Sequence, residues 1–143
     1  MSTKKLNAPL IRLHSVGYKR VAAQNAVLPR AHLYIDCRMM EDAAHTSGMT
    51  LQNSVDMLLA SNGPQLERVV ELIIDMLKSI PSRRNHIQDP YLYPIDVCFC
   101  CAWGIHRSPT TKVIMHYWLR NDKDLRARVT KIIGKNWRLE MFK

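Results

Sequence analysis

The chain has 143 residues, 21 Lys and Arg against 12 Asp and Glu, and a formal charge of +9, with a pI near 9.7. A hydrophobic fraction of 47% argues against a disordered chain, and no apolar run is long enough to span a membrane. The charge excess points to a polyanionic partner, nucleic acid first among them. Lys4 and Lys5 are followed by no apolar stretch of the secretory kind. The four cysteines, Cys37, Cys98, Cys100 and Cys101, lack the spread of a disulfide framework. The expectation is a cytoplasmic protein of one domain, residues 1–143. With no second Cys/His pair at zinc spacing, neither a metal nor another cofactor is expected.

In chain order, Leu10 to Tyr18 alternates loosely and reads as a short strand. Ala31 to Cys37 reads as a better one, with Leu33, Ile35 and Cys37 on one face and His32, Tyr34 and Asp36 on the other. Polar composition from Met39 to Thr50 marks a loop. Leu51 to Ala60 carries Val55, Leu58 and Leu59 at helical spacing. Asn62-Gly63-Pro64 then opens a second helix with Leu66, Val69, Val70, Ile73, Ile74 and Leu77 on one face. It should end near Ile80-Pro81, because the residue before proline is disfavoured in helical geometry. Ser82 to Pro94 is a polar, basic connection.

Ile95 to Cys100 is a short apolar run that suits a buried strand, in which Cys98 and Cys100 read as small core residues. A loop follows at once, with Ser108 expected as N-cap and Pro109 as first residue of a helix reaching about Leu119. Leu125, Val129, Ile132 and Ile133 space a last helix, Gly134 stops it, and Trp137 to Phe142 is expected to return as an edge strand. The whole predicts an α/β protein with a layered, largely parallel sheet and one strand–loop–helix anion-binding unit.

That unit carries the chemistry. A helix start leaves backbone N–H groups without internal partners and a partial positive charge, so it accepts an anion. Arg107 adds a planar fork able to hold two oxygens of a phosphate, and Gly104 permits close backbone approach. Cys101 stands at the lip of the same cradle, where such a field favours the thiolate. Two readings follow. Cys101-x5-Arg107-Ser108-Pro109 locally resembles the loop of low-molecular-weight cysteine phosphatases, which implies Cys101 as nucleophile and Arg107 as phosphate clamp. A general acid would then be needed, for which Asp36, Asp42, Asp89 and Asp96 are available.

A broader match covers nearly the whole chain. Ser15-Val16-Gly17-Tyr18-Lys19, Leu33-Tyr34-Ile35-Asp36-Cys37-Arg38, Thr46-Ser47-Gly48 and Cys101-Ala102-Trp103-Gly104-Ile105-His106-Arg107-Ser108 occur in order. Together they resemble the C-terminal domain of the RapZ family of bacterial RNase adaptor proteins. The resemblance implies a non-catalytic, RNA-binding, self-associating domain with a pocket for a phosphorylated amino sugar. By position the pocket would use Asp36, Arg38, Cys101, Gly104, His106, Arg107 and Ser108, with His45 standing for a family histidine. Trp103 occupies the place of a family glycine and Ala102 that of a threonine.

Each residue also has a plainer reading. Asp36 and Arg38 share a strand face and can simply pair with each other. His106 can orient Arg107 instead of touching a ligand. His14, His32, His86 and His116 read as surface or core histidines. The basic face of the last helix, Arg126, Arg128, Lys131 and Lys135, is either a solvated surface or the RNA contact. Trp103 and Trp118 are candidate contacts of a homo-oligomer. The leading expectation is an RNA-regulatory binding domain, the rival a cysteine phosphatase, and the third a structural interaction protein.

Overall fold

A computed structural model describes residues 9–40, 50–80, 94–102 and 107–142. Its elements are strand β1 (Leu10–Gly17), helix α1 (Tyr18–Ala23), strand β2 (Leu33–Asp36), a 3-10 turn (Cys37–Met39), helices α2 (Leu51–Ser61) and α3 (Gly63–Ser79), strand β3 (Ile95–Cys101), helices α4 (Arg107–Asn121) and α5 (Lys123–Ile133), and strand β4 (Arg138–Met141).

The four strands form one sheet in the order β2-β3-β1-β4, with every neighbouring pair parallel. Ile11 stands opposite Ile95 and Leu13 opposite Val97, while Leu33 meets Val97 and Ile35 meets Phe99 from the other side. One sheet face is therefore a continuous apolar surface. Ile11, Leu13, Ile35, Val97 and Phe99 are almost fully buried there, in one cluster with Leu66, Val69, Ile73 and Leu77 of α3 and Ile114, Met115 and Leu119 of α4. Ile35 and the four α3 residues are positions whose period-2 and period-3.6 spacing marked them as core, whereas the three α4 residues were not singled out by the sequence.

Local signals set the helix boundaries. The Thr50 hydroxyl accepts from the Asn53 N–H at 3.1 Å and caps α2. Pro64 sits in the first turn of α3, where its missing N–H costs nothing. Asp122 caps α5 by accepting from the Leu125 N–H at 3.0 Å. Gly134 ends that helix at φ 93°, a conformation that a Cβ disfavours. β4 returns as the parallel edge strand expected from Trp137 to Phe142.

Two expectations need correction. The chain does not stay extended through Tyr18: β1 ends at Gly17, and Tyr18 starts a six-residue helix. Helix α4 begins at Arg107, so Ser108 is not its N-cap. Its hydroxyl turns to the strand ends instead, 3.1 Å from the Cys101 Sγ and 3.3 Å from the Val16 carbonyl oxygen.

Parallel neighbours need crossovers, and these run in two directions. The connection from β1 to β2 passes β3 one way, whereas that from β3 to β4 passes β1 the other way. Right-handed crossovers in opposite directions leave a sheet from opposite faces. The carboxyl ends of the adjacent strands β1 and β3 thus flank a topological switch point, where open α/β sheets leave a crevice for ligands.

Candidate anion-binding crevice

The residues that end β1, β2 and β3 meet at this crevice. Gly17 ends β1 and Tyr18 follows it, and the Lys19 N–H donates to the Ala102 carbonyl at 2.7 Å, tying the β1 exit to the β3 exit. Asp36 ends β2 and its carboxylate accepts from the Arg38 backbone N–H at 3.0 Å. It is also gripped by the Arg38 guanidinium, Nε at 2.9 Å and Nη2 at 2.7 Å. The plainer reading of this pair, mutual pairing, is what the chain adopts. Arg38 additionally lies over the Tyr18 ring, 4.8 Å from its centroid.

Arg107, the first residue of α4, reaches the same place: its Nη1 donates to the Arg38 carbonyl at 3.3 Å. Arg38 chiefly, and Arg107 at longer range, hold the Asp36 carboxyl below its usual range. A carboxylate so stabilised is a poor proton donor near neutral pH. Cys101 is the last residue of β3, only 3% exposed and shared between its strand end and the Ser108 hydroxyl.

Tyr18 and Cys100 belong to this crevice although sequence reading did not assign them. Burial first, and then the Cys100 thiol, push the Tyr18 hydroxyl up to about 12. Cys98 and Cys100 are buried on the same sheet face with sulfurs 3.8 Å apart. The Cys98 contact, followed by Tyr18, draws the Cys100 thiol down against the effect of burial. Burial pushes the Cys37 thiol up to about 12, which makes it an inert core group. The advance signals for Tyr18 were its place at the end of the expected first strand and in the Ser15–Lys19 stretch that carries the family resemblance.

The other predicted residues divide. Gly104, His106, Trp103, His45, Asp42 and Asp89 lie outside the described residues. Asp96 is far from the crevice chemistry, at the amino end of β3, where it binds Arg12 and His14. Of the four basic residues expected on the face of the last helix, Lys135 lies beyond it, in the turn after Gly134, and Arg128 forms a two-pronged pair with Glu71, both contacts at 2.8 Å. Arg126 donates to the Leu119 carbonyl at 2.9 Å and lies 4.5 Å from the Trp137 ring centroid. Lys131 and Lys135 are exposed.

No protein-family model and no curated protein matches this chain. None of the described helices is long and apolar enough to cross a membrane.

Chemically, the crevice offers the positive end of the α4 dipole, a guanidinium at that same turn, and a second guanidinium already neutralised by a carboxylate. That set suits an anion of two or more oxygens.

Proposed function

We propose that the protein is a binding domain of the RapZ C-terminal type, whose crevice takes a phosphorylated small molecule and whose exposed basic surface contacts RNA. The observation that carries the reading is the meeting of Arg107, at the start of α4, with the carboxyl ends of β1, β2 and β3. Phosphate oxygens are recognised by such a fork backed by a helix start. Asp36 supports binding over turnover, because its pairing with Arg38 keeps it ionised and removes it as a proton donor.

RNA contact in this reading rests on charge and shape, and its cations are the exposed Lys131 and Lys135 more than Arg126 and Arg128. Replacing both lysines by glutamine is expected to weaken RNA binding and to flatten its dependence on log[salt] by about 1.5, as measured by gel shift over a salt series. An unchanged slope means that the RNA surface is elsewhere or absent.

The phosphatase reading draws on one observation, the 3.1 Å contact between the Cys101 sulfur and the Ser108 hydroxyl. Aryl phosphate turnover separates the two. The binding reading expects no activity above background in wild type, and none lost on Cys101→Ser. Turnover abolished by that substitution would replace it with the enzyme.

A further inference from the structure

Away from the crevice, α3, α4 and α5 enclose an open groove of about 640 Å³. Its floor is apolar: Val70 and Trp118 are half-buried against the core, and Leu125 is buried within it. Its rim is acidic, carrying Glu67, Asp122 and Asp124, all exposed. Arg68 is the rim's counter-charge, and Arg128 is matched by its pair with Glu71. Four of the chain's 12 acidic residues therefore gather at one depression of a protein whose net charge is +9.

This concentration excludes the partners expected for the rest of the surface. A phosphate or an RNA backbone meets like charge here. The groove is too open to enclose a small molecule, yet its volume accommodates several side chains. An apolar floor between acidic walls matches an amphipathic helix with apolar residues at i, i+3, i+4 and i+7 and Lys or Arg on its flanks. The flanking cations would pair with Glu67, Asp122 and Asp124, and an apolar anchor would cover Trp118, whose ring also attracts a neighbouring cation.

We infer that the α3–α4–α5 groove docks a basic amphipathic helix of a partner protein, with Trp118 as the anchor floor and Glu67, Asp122 and Asp124 as the charge-reading rim. This site is independent of the phosphate crevice: it lies on other elements and takes the opposite charge.

The test uses a fluorescently labelled helix-forming peptide with leucines at i, i+3, i+4 and i+7 and lysines elsewhere, titrated with the full chain at low ionic strength. Binding is expected, and it should weaken as salt rises. The double variant Glu67→Gln, Asp124→Asn, chosen at exposed positions so that folding is preserved, should bind about ten-fold more weakly. Trp118→Phe should also weaken binding while leaving the salt dependence in place. A matching peptide with glutamates for lysines should not bind. Absence of binding, equal affinity in the double variant, or equal affinity for the acidic peptide overturns the inference.

Discussion

Replacing Asp96 by alanine is expected to cost about 3 kcal/mol of folding stability, because it strands the Arg12 guanidinium and leaves the His14 imidazole without its carboxylate partner on a half-buried sheet face. Asp96 receives both prongs of Arg12, Nε at 2.8 Å and Nη2 at 3.1 Å, and the His14 Nε2 at 2.7 Å. Phe142 closes the cluster: its ring stacks on His14 at 4.9 Å and lies 5.0 Å from the Arg12 guanidinium. Its carbonyl accepts from the buried Lys112 ammonium, and its N–H donates to the Leu13 carbonyl at 2.8 Å. Loss of Asp96 thus loosens the attachment of β4 as well as the β1–β3 contact. The figure sits at the low end for a broken buried pair because Arg12 retains 28% of its side-chain exposure. For a chain of this size the melting temperature should fall by roughly 6–12 °C.

The same residue gives a pH signature. Burial alone would raise the Asp96 pKa, but the hydrogen bonds from Arg12 and His14 outweigh it and leave the carboxyl below its ordinary 3.8. Its contribution is therefore complete above the unfolded value and is lost as pH falls through the depressed folded value. Wild type should lose stability faster than Asp96→Ala between about pH 5 and the acid limit. Acid limbs that fall in parallel would show that Asp96 is unpaired in solution.

A larger effect is expected at Phe99. It is fully buried at the centre of the sheet, with Ile35 beside it on β2 and Ser15 on β1. Phe99→Ala removes a ring from between the sheet and α3 and α4, and should cost about 3–5 kcal/mol. That is a large share of the roughly 5–15 kcal/mol that holds a domain together. The denaturant midpoint should fall with little change of slope. Val27→Ala, at a position 89% exposed, is the control and should change stability by less than about 0.5 kcal/mol. A small effect at Phe99 would mean that the sheet face is not packed as described.

How legible was this in the sequence? Elements with one buried face were read directly. The six apolar positions of α3 marked a helix, the run of β3, apolar apart from Asp96, suited a buried strand, and the alternation in β2 placed Leu33 and Ile35 against the core. Helix α1 was missed because six residues hold too little periodicity and none of them is buried. Strand order was illegible, and the Asp96 cluster with it. Arg12 faces Asp96 only because β1 and β3, more than 70 residues apart in the chain, are parallel neighbours in that register. The pairing of Asp36 with Arg38 was visible as one of two options, since two residues of like orientation on one strand either meet each other or meet a ligand. The role of Ser108 was misread because the helix starts at Arg107, two residues before the proline expected to open it.

The central claim is that Arg107 makes the crevice an anion site. Its most direct test is the melting temperature of wild type and Arg107→Ala with and without a panel of sugar phosphates and nucleotides. A compound at ~100 times its dissociation constant adds about 2.7 kcal/mol, a shift of roughly 5–11 °C. The account predicts such a shift for at least one phosphorylated compound in wild type and none in Arg107→Ala. Equal shifts in both proteins, or no shift with any compound, would contradict it.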